Sequence, residues 1–277
     1  MTTTLDKTSN RRLPRRAGNN AVPGEGRRHA GVLLALRLLA LAILLGSWEL
    51  LAATEIIDPL SFGRPSQIFP LLMDGIAGGF WAEAWVTFYE AMGGFVIGSV
   101  LGILAGLVLT QNEMLHDVAS PFIVAFNSMP RIALAPLFII WFGLGSASRI
   151  ALGVSLVFFV VLINTLAGVK SADREHLMLA RVMGESRNAT FRKFVLPAAM
   201  PSIFAGLQLG LVYAFLAAVV GEMLSGSQGL GGALSLATNT FETDLFFAQL
   251  FFLVLLTLAM SQLLKMTESH LLRWKKL

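Results

Sequence analysis

Apolar runs of about 20 residues recur along this chain, each long enough to cross a hydrocarbon core of ~30 Å as a helix. They are Ala30–Ala53, Ala84–Leu109, Val118–Phe142, Ile150–Val169, Pro197–Glu222 and Asp244–Leu264. No ordinary water-soluble domain is built from such runs, so the predicted fold class is an all-α integral membrane protein with six transmembrane helices. Composition agrees: 55% of the 277 residues are hydrophobic and 14% are charged, against roughly 25% charged in soluble domains. Mean hydropathy is +0.71.

Charge then sets the expected orientation. Of the 21 Lys and Arg residues, 17 fall in residues 1–30, 170–197 and 265–277, whereas the proposed outer connections hold only Arg64 and Arg149. Basic segments stay on the cytoplasmic side, so both termini and the 170–197 loop are expected there, in a multi-pass membrane protein. Residues 1–29 are polar and basic without apolar periodicity and are expected to be a disordered tail. Residues 30–277 form the membrane domain. A cleaved signal peptide is disfavoured, because the apolar run after the tail is too long and Trp48-Glu49 stands where a small-residue cleavage site belongs.

The runs differ in detail. Gly94, Gly98, Gly102 and Gly106 recur at every fourth position of the second span, which puts them on one face and admits a neighbouring backbone. That face predicts tight internal packing, with a dimer contact as the alternative. The third span is interrupted by Pro121, Pro130 and Pro136 and carries Asn127 and Arg131. Prolines leave carbonyls that need partners, and a charged residue at membrane depth faces the bundle interior or a cavity. This span is therefore the first candidate to line a translocation path, with Asn127 and Arg131 as its lead residues. Asn164, Gln208 and Glu222 are the polar members of later spans and are weaker candidates. The other reading of Arg131 is a hydrogen bond to carbonyls freed at the prolines. Residues 54–84 are expected to form an outer loop with a helix lying along the surface, and 223–243 a flexible outer stretch.

The chemistry of catalysis is missing. With no cysteine there are no disulfides, thiolate metal sites or cysteine nucleophiles. There is no G-x-x-x-x-G-K-[ST], H-E-x-x-H or G-x-S-x-G. The four histidines, His29, His116, His176 and His270, are not spaced as metal ligands. The chain is thus expected not to be an enzyme and to carry no cofactor. A self-contained secondary transporter and a membrane enzyme remain as rival classes, weakened by the absence of an internal repeat and of a nucleophile or metal motif.

The loop Asp173–Pro197 is the polar passage that needs a purpose. Leu177, Ala180, Arg181 and Gly184 recur at helical spacing on one face. Gly184 can end that helix in a left-handed conformation. Ser186 can cap a second short helix, which is expected to stop by Leu196 because Pro197 restricts the residue before it. Ala180 and Gly184 permit close docking, and arginines offer forked hydrogen bonds to a partner. The bland alternative is a solvated basic loop that serves topology alone.

These residues resemble the EAA motif of permease subunits of bacterial binding-protein-dependent ABC importers, in which Glu-Ala-Ala, three residues and Gly precede a run closing in Leu-Pro. Ala180, Gly184, Leu196 and Pro197 fit in register; Met178 stands at the glutamate position and Leu179 at the first alanine. Pro121–Gly145, Asn164-Thr165-x-x-Gly168-Val169 and Gly226-Ser227-Gln228-Gly229-Leu230-Gly231 are similar to segments of permeases for nitrate, taurine and aliphatic sulfonates. The resemblance spans residues of about 30–275 and implies a MetI-like six-helix permease acting as a dimer. It implies that Met178, Ala180, Arg181, Gly184 and Glu185 meet an ABC ATPase subunit, which binds ATP and Mg. A periplasmic or lipid-anchored binding protein would deliver a small, anionic solute to the outer face. The same family shape also serves other small molecules, including pyrimidine-type precursors.

Overall fold

The computed structural model describes residues 25–172, 178, 182–226 and 228–273. The tail before residue 25 and the loop positions Ala180 and Arg181 lie outside these. The described residues are helices and short connections: α1 (Glu25–Ala53), α2 (Pro59–Phe62), α3 (Pro65–Asp74), α4 (Trp81–Gln111), α5 (Glu113–Ser128), α6 (Ala135–Phe142), α7 (Ser146–Lys170), α8 (Arg187–Thr190), α9 (Leu196–Ser225), α10 (Gly229–Asn239) and α11 (Thr243–Leu271). Five helices are long and apolar enough to span a membrane. The sixth span is a bent pair, 113–128 followed by 131–142, that turns by 79° at its break. The chain divides into two compact units, residues 1–50 and 51–277. The described residues of the first lie in the apolar helix α1.

The second unit is organised around α7, which packs between α4 and α9. Lipid tails are as apolar as leucine, so no hydrophobic force draws these helices together; close packing must do it, and small residues permit it. The glycine face of α4 does this. A Cβ at Gly102 would fall 2.7 Å from the backbone oxygen of Phe158, and one at Gly94 would fall 3.0 Å from the Cα of Gly153. Gly98 meets Val157 and Gly106 meets Thr165 in the same seam. The face is an internal seam, as its spacing predicts. On the far side of α7, Gly206 approaches Asn164 and Gly210 approaches Val157 and Val161. Val157, Val161, Leu211, Ala214 and Phe215 close the core between the three helices.

Around this core, the sequence explains where the helices stop. Asn112 caps α5, its side chain accepting from the amides of Met114 (3.0 Å) and Leu115 (3.4 Å). Pro130 forces Met129 into extended backbone, φ −73° and ψ 133°, and so ends α5. One 3₁₀ turn, Arg131–Leu134, leads into α6.

Two expectations need correction. The helix opened by Ser186 does not stop at Leu196: residues 188–225 run as one helix of 38 residues. A π-helical turn at Phe191–Val195 precedes Pro197. Its wider winding absorbs the missing N–H and the ring clash that proline brings to a regular helix. The stretch after Glu222 is likewise not a flexible connection: 229–239 form α10, with Gly229, Leu230, Gly231 and Gly232 buried. The glycines of this stretch serve as contact surface. A Cβ at Gly231 would fall 2.4 Å from the backbone oxygen of Val219.

Candidate functional site

At the connection between α7 and α9, the chain leaves apolar side chains uncovered. Met178, Val182 and Met183 are 69%, 80% and 69% exposed. Gly184 takes φ +74°, as a left-handed helix end requires, and open space surrounds the position where its Cβ would stand. Ser186 then caps α8, accepting from the amide of Ala189 at 3.3 Å. Glu185 pairs with Lys193 at 2.7 Å across this turn. The segment is thus an apolar knuckle closed by a glycine, with an exposed ion pair on its flank.

The five pathway candidates separate into distinct settings. Asn127 and Arg131 are brought together at the helix break. Arg131 is 9% exposed. Its Nη1 donates to the carbonyls of Ser155 (2.6 Å) and Leu156 (3.5 Å), and its Nη2 to Asn127 Oδ1 (2.9 Å). Its guanidinium lies 4.4 Å from the centre of the Phe159 ring. Arg131 therefore ties the break to α7. Asn127 lines a cavity of about 250 Å³ together with His116, Ser120, Ser128, Ile163 and Leu166. The Nε2 of His116, one of the lining residues, is 3.0 Å from Lys170 Nζ.

The other three candidates lie elsewhere. Asn164 bonds the carbonyl of Val160 at 2.8 Å, with its side chain against Gly206. Gln208 donates to Glu268 Oε2 at 2.5 Å, joining α9 to α11. Glu222 is fully buried at the end of the bundle opposite the 178–187 segment. Its Oε2 accepts from Thr87 Oγ1 (2.9 Å) and from the amide of Gly231 (2.7 Å). Thr87 Oγ1 in turn accepts from the amide of Leu230 (2.8 Å). One carboxylate and one hydroxyl thereby fasten α10 to α4 and α9.

Beside this network is a pair that reading the sequence missed. Arg149, expected in an outer turn, is buried in the first turn of α7 and donates from Nη1 to Glu90 Oε1 at 2.6 Å. Glu83, Thr87 and Glu90 recur four and three residues apart in the first half of α4, and that spacing was the available signal. Ionisable residues at membrane depth are costly unless paired. Among the described residues, no group of three His, Asp or Glu side chains is placed to hold a metal ion.

Comparison with known proteins adds to this geometry. Residues 98–273 match the family described as binding-protein-dependent transport system inner membrane component. A formylaminopyrimidine transport permease protein of Halalkalibacterium halodurans is 33% identical over 229 residues, covering 83% of this chain and 91% of that protein. A taurine transport system permease protein of Escherichia coli is 29% identical over 241 residues, covering 84% and 87%. Among solved structures, an inward-facing form of the MetNI methionine ABC transporter superposes with a TM-score of 0.58 at 19% identity, covering 68% of this chain and 92% of that one.

Proposed function

The chain belongs to the binding-protein-dependent transport system inner membrane components and is the permease of an ABC importer, and from that premise we propose how it works and what it moves. The chain is a multi-pass membrane protein in which helices, and no nucleotide-binding motif, carry the function. ATP and Mg bind a separate ATPase subunit, which docks on the segment around Met178, Ala180, Arg181, Gly184 and Glu185. A binding protein presents the solute at the opposite end. Two permease copies form the pore, with both termini in the cytoplasm. The solute is small and anionic, of the taurine, sulfonate or nitrate kind. Asn127 and Arg131 at the helix break, with Asn164, Gln208 and Glu222, line or gate its route.

One observation carries the docking assignment: Met178, Val182 and Met183 are exposed beside a glycine with open space around it. On the cytoplasmic side, exposed apolar side chains are stabilised by a protein partner, since they lie outside the lipid. The ATPase pair closes on ATP and moves this knuckle. The motion passes along the uninterrupted 188–225 helix to the network around Glu222.

The test is Gly184→Trp in the reconstituted importer, with Gly184→Asn as the control that tolerates a left-handed backbone. No described atom lies within 4 Å of the position where a Cβ at Gly184 would stand, and the asparagine control shares the backbone position at φ +74°, so the comparison of the two variants isolates the bulk of the indole. The tryptophan variant is expected to insert in the membrane and to lose ATP-driven uptake. Uptake at the wild-type rate would exclude docking at this position.

A second reading of the solute is favoured by the formylaminopyrimidine permease, whose 33% identity extends over 91% of that protein. On that reading the cargo is a neutral or cationic pyrimidine-type precursor. Binding of either ligand class to the cognate binding protein, measured by calorimetry, separates the two.

A further inference from the structure

Left-handed backbone sets two places in this chain apart. Among the described residues, six positive-φ positions are glycines and two are not: Glu55 at φ 56° and Phe241 at φ 58°. Phe241 closes α10. The amides of Phe241 and Glu242 donate back to the carbonyls of Thr238 (3.3 Å) and Ala237 (2.9 Å). That pair of bonds puts Phe241 at the left-handed helix end, the position that glycine fills best. The chain does use glycine at the equivalent position after α9, where Gly226 takes φ +65°. An L side chain is strained there, yet the fold leaves the Phe241 ring 75% exposed. Strain retained for a side chain that the fold does not bury points to function.

The surroundings of Phe241 favour a protein partner over lipid. Thr238, Asn239, Thr240 and Glu242 are all exposed, a polar collar that is costly to place in hydrocarbon. The segment lies at the end of the bundle opposite residues 178–187. There Thr243 Oγ1 donates to the carbonyl of Leu60, joining it to the 54–80 connection. Across the connections 54–80 and 226–243, Glu55, Asp58, Asp74 and Glu242 are exposed, and Arg64 is the single basic residue. Lipid headgroups are met by basic anchors, and this surface has the opposite sign. Beside Phe241 opens a groove of about 340 Å³, with Leu60, Leu71, Glu242 and Leu245 in its lining. An exposed aromatic beside a groove on an acidic surface suits a soluble protein that offers an apolar pocket rimmed by lysine and arginine.

We propose that Phe241 anchors a docking surface for the solute-binding protein, its ring seated in an apolar pocket of that protein and the carboxylates of this end drawing in a basic rim. The proposal rests on the importer reading and deepens it, naming the contact residue and the sign of charge that the partner carries there.

The test uses the permease–ATPase complex in phosphatidylcholine nanodiscs and the binding protein that supports uptake in the reconstituted importer, with binding read by biolayer interferometry. Phe241→Gly is expected to weaken binding about thirtyfold. Its thermal unfolding midpoint should stay level or rise, because glycine relieves the left-handed strain; a structural role for the ring would lower it. Glu242→Lys is expected to slow association about tenfold and to flatten its dependence on salt. Because the chain has no cysteine, Phe241→Cys labelled with a bimane dye reports on this position alone. Its emission should shift to the blue when the binding protein is added and should not be quenched by brominated lipid. Unchanged affinity in Phe241→Gly overturns the docking surface, as does an affinity loss accompanied by a lower midpoint. Quenching by brominated lipid also overturns it and assigns Phe241 to the membrane. These three results leave the importer reading standing. Absence of binding-protein-dependent, ATP-driven uptake in wild-type proteoliposomes would instead sink the importer reading, and the docking surface with it.

Discussion

The two ends of the second unit are built on opposite terms. At one end Glu222, Thr87, Glu90 and Arg149 are buried and bonded to one another or to the amides of α10. At the other, Met178, Val182 and Met183 are largely exposed and Gly184 touches nothing across its open side. Polar groups buried at membrane depth must be paired, and once paired they fix a single arrangement. Exposed apolar groups beside a left-handed glycine fix nothing and wait for a surface. The contrast marks one end as the anchor and, on the proposed docking of an ATPase, the other as the handle, with the 188–225 helix running between them.

The strongest way to break the comparison is to open the anchor. Glu90→Ala leaves Arg149 buried opposite an empty acceptor position, and losing one partner of a buried pair costs about 3–5 kcal/mol. Thermal unfolding in detergent, followed by tryptophan fluorescence, is expected to shift down sharply. Glu90→Leu combined with Arg149→Met should be less destabilised than either single change, because no charge is left behind. A loss in the double variant equal to the sum of the two single losses would mean that the pair does not act as a unit.

Next in size is Gly231→Ala. Its Cβ would press 2.4 Å from the backbone oxygen of Val219 and 2.8 Å from the Cβ of Glu222. A backbone atom cannot swing aside, so α10 must lift, at about 1–3 kcal/mol. Because Gly231 donates its amide to Glu222, lifting α10 also stretches that bond. Unfolding at the wild-type midpoint would show that α10 is not clamped.

How legible this was in the sequence follows from the same contrast. The spans were readable because continuous apolar runs have one use, and the α4 glycine seam because its period is that of a helix face. The knuckle was readable through Gly184 and Ser186, whose backbone roles are local. The anchor was not. Glu90 looked like one charge in an apolar run and Arg149 like a turn residue, 59 positions away; only the fold brings them together. Helix α10 was hidden because Gly229, Gly231 and Gly232 lower helix propensity, and the packing that overrides it comes from Glu222 and Val219. The continuous helix through Pro197 was missed for a related reason: a π turn before a proline leaves no mark in the residue pattern.

At the handle the effects on stability shrink. Gly184→Ala places an L side chain at φ +74°, a conformation that costs about 1–2 kcal/mol. With space around it, nothing else is lost, so the unfolding midpoint should fall by less than in Gly231→Ala. A larger fall would mean that the knuckle is packed against more of the chain than its exposure indicates.

The smallest stability effect, and the sharpest separation of anchor from handle, is expected at Glu185. Its carboxylate meets Lys193 at 2.7 Å, with the lysine side chain 60% exposed. An exposed pair of this kind is worth about 0.2–1 kcal/mol, so Glu185→Ala should leave the unfolding midpoint nearly unchanged. The same carboxylate stands one residue past Gly184, on the surface proposed to dock the ATPase. If that surface docks a partner, removing the charge alters an interfacial contact and frees Lys193 to meet the partner alone. ATP hydrolysis and uptake, measured together in proteoliposomes, are then expected to fall out of proportion to stability. Midpoint and coupling both at wild-type values would confine the handle to Met178, Val182, Met183 and Gly184. A large drop in midpoint would contradict the division, because it would place an anchor-type interaction at the end built to move.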